Sequence, residues 1–119
     1  MKILTVKHPF AEQIISGEKR IENRSWGENV RGRIGIHCGG ENGAIIGTVE
    51  VVDVLSVVEA LNKYPEQGEY ISGPLCWVLE NPIAIEPIPC YGRLSFWEFT
   101  EDMRRAQDIL PFHRQSRRP

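Results

Sequence analysis

The chain has 119 residues, of which 41% are hydrophobic and 25% are charged, and its formal net charge is −2. These values predict one globular domain that buries a single core. A net charge so close to zero excludes a protein that coats long duplex nucleic acid, because such a protein needs a strongly basic surface.

The first twenty residues predict a short strand and then a short helix. The β-branched run "KILTV" indicates a strand, which the following proline stops. Residues 10–16 carry Phe10, Ile14 and Ile15 with polar residues between them, which is the spacing of an amphipathic helix, and Gly17 is suited to end it. We expect this helix to pack across one end of a sheet.

The stretch "GEKRIENRSW" crowds charged residues beside a tryptophan. As a strand it would place alternate side chains on opposite faces. One face would carry Lys19, Ile21, Asn23 and Ser25, and the other Arg20, Glu22, Arg24 and Trp26. Lys19 lies at the turn before the strand and can reach either face. Two interpretations fit this pattern: an exposed edge strand whose charges pair weakly in water, or the wall of a small charged pocket.

In the pocket interpretation each of these side chains has a definite chemical role. Lys19, held out of water, would act as a base or a nucleophile, and Glu22 would hold it through an ion pair. Arg24 would offer its planar guanidinium to a phosphate or a carbonyl oxygen. Trp26 would stack on a nucleobase or else pack in the core.

The remainder of the chain predicts further short strands. They are "RIGIHCG", the long "AIIGTVEVVDVLSVV", the segment "PLCWVLENPIAIEPIPCYG", which reads as two strands joined by a proline-rich link, and "RLSFWEF". Residues 59–73 are polar and predict an excursion that contains a helical turn. The apolar window 51–61 is broken by Asp53 and Glu59 and is too short to cross a bilayer, which predicts no membrane association.

Many short strands after one early helix predict an α+β, mainly β fold: a small barrel of five or six strands with a short helix across one end. Residues 1–100 are predicted to form this domain, and residues 101–119 a C-terminal extension that ends in a frayed basic tail. Barrel closure would gather strand ends around one mouth, which is a common place for a ligand pocket.

The cysteines and histidines form no recognisable pattern of metal ligands. Cys38, Cys76 and Cys90 are odd in number and widely separated, and no HxxxH pair is present. This spacing predicts free thiols in a reducing cytoplasm, with neither a metal nor another cofactor. The amino-terminal residues lack the pattern of a secretion signal, which also predicts a cytoplasmic protein. His37 lies beside apolar residues in a predicted strand, which favours a buried core histidine.

Positive charge gathers at both ends of the chain. Residues 1–37 hold seven Lys or Arg against four acids, residues 38–100 hold two against nine, and residues 101–119 hold five against three. This layout predicts local attraction for an anion such as a phosphate.

Four segments of residues 3–99 are informative together: "KHPFAEQIISGEKRIENRSW", "RGRIGIHCG", "GAIIGTVEVVDV" and "CWVLENPIAIEPIPCYGRLSFWEF". Through them most of the chain resembles the ASCH domain family, the activating-signal-cointegrator homology domains, in its stand-alone microbial and phage form. The most specific part is the G-x-K-x-x-E-x-R pattern at Gly17, Lys19, Glu22 and Arg24. The family implies a PUA-like β-barrel related to modules that bind RNA.

The resemblance also implies two kinds of activity. Some family members are implicated in RNA cleavage, and others hydrolyse the acetyl amide of N4-acetylcytidine. In that amidohydrolase branch a lysine, a threonine three residues later and a distant glutamate act together. Lys19 matches the lysine, Glu22 stands at the threonine position, and Glu66 and Glu69 are both candidates for the distant acid.

Lys7 and His8 precede a proline, where stand-alone relatives often carry a polar residue followed by proline and an aromatic residue. The proline would turn both side chains toward the mouth, where His8 either contacts a ligand or lies exposed in a loop. Phe10 is expected in the core. Tyr70, in the excursion, is expected to contact the ligand as part of a lid.

Two functions fit these observations. The first is a hydrolase that acts on RNA or a modified nucleoside, with Lys19 and Glu22 as catalytic residues. The ligand would then be bound by Arg24, Trp26, Lys7, His8 and Tyr70. The second is an RNA- or nucleotide-binding module without catalysis, and a protein-interaction domain is a third hypothesis. We expect Lys19, Glu22 and Arg24 to line one cavity, and a Lys19 ammonium close to Glu22 and out of water would favour the enzyme.

Overall fold

The structure is a computed structural model, and it describes residues 1–100. The predicted tail at 101–119 lies outside the described residues. Six strands form one sheet: β1 (Lys2–Val6), β2 (Ile21–Arg24), β3 (Gly32–Cys38), β4 (Ala44–Leu55), β5 (Leu75–Pro89) and β6 (Phe96–Glu98). The helices are α1 (Phe10–Ser16), α2 (Val57–Lys63) and a 3₁₀ helix, Pro65–Tyr70.

The strand order in the sheet is β2-β5-β4-β3-β1-β6. β1 pairs with β3 in parallel, and the other neighbours are antiparallel. The sheet curls into a half-barrel, so that the end of β2 faces the end of β1: the Arg24 guanidinium (Nη2) donates a hydrogen bond of 3.1 Å to the Thr5 carbonyl oxygen. The predicted mainly β fold of five or six strands with a short helix is confirmed.

The predicted helix over residues 10–16 is confirmed as α1. It ends at Gly17, whose φ of 88° is the left-handed conformation that glycine adopts without a steric penalty. Ala11 and Ile14 are buried, and the helix packs on the sheet at Gly47. A Cβ added at Gly47 would lie 2.7 Å from the Ile15 side chain, so the glycine permits this close approach.

The core fills the concave side of the sheet and the space beneath α1. Its largest group of buried apolar side chains comprises Leu4, Val6, Ala11, Ile14, Ile34, Ile36, Val49, Val51, Trp77 and Leu79. No helix within residues 1–100 is long and apolar enough to cross a membrane.

The prediction of a strand, a proline-punctuated link and another strand edge over residues 74–92 is wrong, because β5 is one strand of 15 residues, Leu75–Pro89. Proline is tolerated there for a specific reason. β2 pairs only with Leu75–Val78, so among the described strands the far half of β5 has a ladder on the β4 side alone. Pro82 and Pro87 are exposed there, and Asn81 adopts a positive φ of 53° where the pairing with β4 is irregular. Prolines on an edge remove no ladder hydrogen bond.

Candidate functional site

Three charged side chains from the "GEKRIENRSW" stretch form a continuous network. The Lys19 ammonium lies 2.9 Å from Glu22 Oε1 and also donates to the Ile21 carbonyl oxygen. The other carboxylate oxygen of Glu22 accepts a hydrogen bond of 2.9 Å from Arg24 Nε. Lys19 is only 4% exposed and Glu22 only 7% exposed. The Glu22 carboxyl group therefore lies between the Lys19 and Arg24 side chains, largely out of water.

The local fold explains why these groups meet. Alternation along β2 places Glu22 and Arg24 on the same face, as expected. Lys19 lies before the strand, and its backbone N–H donates to the Gln13 carbonyl oxygen at 3.0 Å, which fixes the turn after α1. From this turn the Lys19 side chain reaches the Glu22 face of the strand.

Two aromatic rings flank the Lys19 ammonium. Its nitrogen lies 5.8 Å from the ring centroids of both Phe10 and Tyr70, within the range of a cation–π interaction. The expectation that Phe10 belongs to the core is wrong, since its side chain is 43% exposed. Ala11 and Ile14 form the buried face of α1, and Phe10 at the first helical position faces Lys19 instead.

A cavity of about 240 Å³, the smaller cavity, lies beside this network. It is lined by Phe10, Lys19, Glu22, Asn23, Glu69, Tyr70 and Ser72. Of the two acids considered for the distant position, Glu69 lines this cavity. Glu66 instead lies 3.9 Å from Arg20, in a pair with side chains 58% and 37% exposed.

The excursion (residues 59–73) forms one wall of the smaller cavity because two buried or half-buried amides fasten it to β2. Asn23 donates to the Tyr70 carbonyl oxygen at 2.7 Å and accepts from the backbone N–H groups of Ser72 and Gly73 at 2.9 and 2.8 Å. Gln67 accepts from the Arg20 N–H at 2.7 Å. Neither amide is predicted from the sequence, because no local pattern marks them and the partners of Asn23 lie 47 to 50 residues away.

The Tyr70 hydroxyl lies in a negatively charged environment. Partial burial, the charges of Glu18 and Glu69, and a hydrogen bond to Glu18 all raise the pKa of Tyr70 above its ordinary value. The phenol therefore stays protonated across the physiological pH range and remains a hydrogen-bond donor at this wall.

A second cavity of about 740 Å³, the larger cavity, lies on the other side of the start of α1. Its lining residues are Thr5, Lys7, His8, Arg24, His37, Gly39, Gly40, Gly92, Arg93, Leu94 and Ser95. Three are cations, and none of those described is a carboxylate. The volume lies within the range of small-molecule sites, roughly 300–1,000 Å³. Lys7, His8 and Arg24 are among the predicted ligand-binding residues, whereas Arg93 is not.

The structure divides the expected single cavity into two. Lys19 and Glu22 line the smaller cavity, whereas Arg24 lines the larger one with Lys7 and His8. An ion pair connects the two cavities, since Arg24 Nη2 lies 2.8 Å from Glu22 Oε2. A ligand in the larger cavity would therefore meet one end of the network, and Lys19 forms the other end.

Two further residues considered in the sequence analysis lie near the base of the curled sheet. Trp26 is half-buried and packs edge-on against Trp77 and Phe96, with ring centroids 5.2 and 5.1 Å apart. It lines neither the smaller nor the larger cavity. His37 is buried, as predicted, and its Nε2 lies 2.7 Å from the Cys90 carbonyl oxygen.

A cluster of three side chains of different chemistry lies at the start of α1. His8 Nδ1 and Glu12 Oε2 are 2.5 Å apart, and the Cys38 thiol donates to Glu12 Oε1 at 3.4 Å. Burial alone would raise the pKa of Glu12, but hydrogen bonds from His8, from its own backbone N–H and from Cys38 outweigh burial and lower it. Partial burial and the adjacent carboxylate raise the pKa of the Cys38 thiol to about 11.

Comparisons with known proteins agree with this architecture. Activating signal cointegrator 1 from Homo sapiens and from Mus musculus are 22% and 20% identical to the chain over 133 aligned positions. Each alignment covers 87% of this chain but 23% of the relative, so the chain spans about a quarter of those proteins.

Solved structures show the same fold. The crystal structure of ASCH from Zymomonas mobilis matches with a TM-score of 0.66 at 16% identity, over 91% of this chain and 92% of that one. Two mutant forms of the Zymomonas protein give TM-scores of 0.63 at 16% and 17% identity, over 93% and 92% of this chain and 94% and 96% of theirs. A family model described as the ASCH domain matches residues 4–89. Because that match covers well over half of the sequence, the chain belongs to the ASCH domain family.

Proposed function

We propose that this ASCH domain binds RNA or a nucleoside in the larger cavity and hydrolyses an acyl amide on a base, of the N4-acetylcytidine type, at Lys19. The observation that carries the proposal is the Lys19 ammonium, 4% exposed and 2.9 Å from Glu22 in the wall of the smaller cavity. An exposed lysine that served only to attract phosphate would need neither burial nor a carboxylate partner.

The division into two cavities suits a ligand with a large body and a small substituent. The larger cavity offers Lys7, Arg24 and Arg93 to phosphate groups and has the volume of a nucleoside site. The smaller cavity, at about 240 Å³, is below the usual range for a whole ligand and suits a substituent such as an acyl group.

The chemistry follows from the network. Lys19 passes a proton to Glu22 Oε1, and the resulting amine takes a proton from water as the water oxygen attacks the amide carbon. The carbon–nitrogen bond then breaks, and the proton on Lys19 moves to the leaving amino group of the base. The products are a carboxylic acid and the unmodified base, and the proton then returns from Glu22 to Lys19. Arg24 holds Glu22 in position, and Glu69 is the second acid within the same cavity.

The test is a mass-spectrometric screen of acylated nucleosides and short RNAs with the unsubstituted chain and three variants. We expect Lys19→Ala to lower turnover by about 10²–10⁴-fold, the usual contribution of a positioned acid or base. Lys19→Arg should fail nearly as badly, because guanidinium does not release its proton near neutral pH. Lys63→Ala, which removes an exposed lysine from α2, should retain full turnover. Full activity of Lys19→Arg would reduce Lys19 to a positive charge for binding.

A second candidate is an RNA-binding module without catalysis. It is favoured by one observation: Glu22 stands where the amidohydrolase branch of the family carries threonine, and it already occupies the Lys19 ammonium. This function needs only the cations of the larger cavity. It would be supported if short RNAs bind, none is processed, and Lys19→Ala binds them as tightly as the unsubstituted chain.

A further inference from the structure

The cluster of His8, Glu12 and Cys38 has a geometry that the amide chemistry does not use. One ligating atom from each residue, a ring nitrogen, a carboxylate oxygen and the sulfur, lies within 4.8 Å of the other two. We propose that these three side chains form a binding site for a divalent cation of the Zn²⁺ class.

The donor set favours a borderline-soft metal ion. Imidazole and thiolate are typical ligands of Zn²⁺ and its neighbours among the first-row metals, and carboxylate completes many of their sites. Mg²⁺ and Ca²⁺ require sites built from oxygen, which this cluster does not provide. On binding, the metal would replace the hydrogen bond between His8 Nδ1 and Glu12 Oε2 and would displace the proton of the thiol.

Two elements of the fold position the three donors: the start of α1 and the end of β3. His8 and Glu12 are four residues apart across the start of α1, which places them on the same side of that turn. Cys38 is the last residue of β3, where it pairs with Val6, and the next backbone N–H, of Gly39, donates to the Val6 carbonyl oxygen at 2.8 Å. The metal would therefore clamp α1 to the end of β3.

The site is open to solvent, and its three protein ligands leave a coordination position free. The His8 and Glu12 side chains are exposed, so an ion can enter from solvent. Three protein ligands leave at least one coordination position for water or a ligand, as in catalytic rather than structural zinc sites. His8 also lines the larger cavity, so that position lies at the cavity rim.

The prediction of no metal from the sequence rested on local ligand spacing. This cluster could not be found in that way, because Cys38 lies 26 residues from Glu12 and is brought to it by the pairing of β1 with β3. The proposal is independent of the hydrolase proposal, since Lys19 and Glu22 take no part in it.

The experiment is titration of the full chain with Co²⁺, followed by competition with Zn²⁺. A Co²⁺ ion bound by a thiolate gives a charge-transfer absorption band that an ion bound only by oxygen and nitrogen does not give. The variants are His8→Ala, Glu12→Gln and Cys38→Ser, with Glu86→Gln, an exposed acid on β5, as the control. His8→Ala and Glu12→Gln alter exposed side chains, so they test the site even if Cys38→Ser fails to fold.

We expect one Co²⁺ per chain, a thiolate band, and its replacement by Zn²⁺. Each of the three variants should weaken binding by about tenfold or more, since altering even a partner of a metal ligand usually costs that much, and Cys38→Ser should abolish the band. The control should bind as the unsubstituted chain does. The proposal is overturned if no thiolate band forms, if the band persists in His8→Ala with unchanged affinity, because His8 would then not be a ligand, or if it persists in Cys38→Ser, because another cysteine would then bind the ion.

Discussion

In the smaller cavity Lys19 is paired with Glu22, whereas Arg24 alone of the larger cavity's three cations is paired with a carboxylate of the described residues. In the smaller cavity Lys19 is buried against Glu22, and Glu69 adds a second acid. In the larger cavity Lys7 and Arg93 lie among glycines and hydroxyl groups, and no carboxylate occurs among its described lining residues. The buried Lys19–Glu22 pair holds its two side chains in a fixed position. The unpaired cations of the larger cavity attract an anionic ligand.

In the proposed function the larger cavity binds the ligand and the smaller cavity provides the catalytic residues. Arg24 belongs to both, since its guanidinium contacts Glu22 and also lines the larger cavity. Occupation of the larger cavity by an anion would therefore act directly on the cation that positions Glu22. If the Lys19–Glu22 pair is buried as described, substitutions in it should change the free energy of unfolding more than substitutions of exposed charges do.

The largest effect should come from Glu22→Gln. The substitution leaves the Lys19 ammonium buried without a carboxylate, and breaking a buried pair in this way costs about 3–5 kcal/mol of stability. Lys19→Met should cost less, because Glu22 keeps Arg24 as its partner. Denaturant unfolding monitored by tryptophan fluorescence measures both free energies.

The matched control for Glu22→Gln is Glu66→Gln, which breaks the exposed Arg20–Glu66 pair at 3.9 Å. Exposed pairs contribute about 0–1 kcal/mol, so this variant should unfold almost as the unsubstituted chain does. Equal losses in the two glutamate variants would show that the Lys19–Glu22 pair is solvated and that the two cavities do not differ as described.

Next in size is Asn23→Ala. It removes the partner of one carbonyl oxygen and two backbone N–H groups in the excursion. These groups are exposed or only partly buried, so water replaces part of the lost bonding and the whole loss should be about 1–3 kcal/mol. The excursion should also open locally, since its attachment to β2 is lost. Hydrogen exchange of residues 70–73 should therefore accelerate more than exchange in β3.

Asn62→Ala provides the control for Asn23→Ala, because Asn62 is an exposed residue of α2. A surface substitution of this kind should change stability by about 0.5 kcal/mol or less. Unchanged exchange at residues 70–73 in Asn23→Ala would mean that Gln67 alone holds the wall of the smaller cavity.

The features predicted from sequence are those that depend on neighbouring residues. The spacing of Phe10, Ile14 and Ile15 predicts α1, and alternation along β2 places Glu22 and Arg24 on one face. The contact of Lys19 with Glu22 spans three residues, so local geometry suffices for it. These signals are contained in windows of a few residues.

The features missed depend on contacts between distant segments. Asn23 meets Ser72 and Gly73 only after α2 and the 3₁₀ helix have returned the chain to β2, and Arg93 reaches the larger cavity through the loop before β6. The continuity of β5 through its prolines likewise depends on which of its sides is paired. Periodicity along one strand contains no information about its neighbours in the sheet.

A smaller effect is expected at the larger cavity from Lys7→Gln and Arg93→Gln. If these cations contact the backbone of a short single-stranded RNA, each substitution should weaken binding. Each should also reduce the slope of log K against log salt concentration by about 0.7, the value for one phosphate contact on a single strand. Fluorescence anisotropy at several salt concentrations measures the slope. Lys63→Gln, which alters an exposed lysine outside both cavities, should leave the slope unchanged.

The smallest effect concerns the field inside the smaller cavity and is measured at Tyr70. Partial burial and the charges of Glu18 and Glu69 raise the pKa of Tyr70, so Glu69→Gln should lower this pKa while leaving it above the ordinary value. Difference ultraviolet titration against Tyr70→Phe isolates this phenol from Tyr64 and Tyr91. Glu86→Gln, which alters an exposed residue of β5, should leave the pKa of Tyr70 unchanged.

The same shift predicts how stability depends on pH. Because the folded protein binds the Tyr70 proton more tightly than the unfolded chain does, this contribution is complete below the unfolded pKa of about 10 and is lost as the pH rises through the higher folded pKa. Glu69→Gln should reduce the contribution, and Tyr70→Phe should remove it. If the pKa of Tyr70 does not respond to Glu69, solvent screens this carboxylate, and the shift would come from partial burial and Glu18 alone.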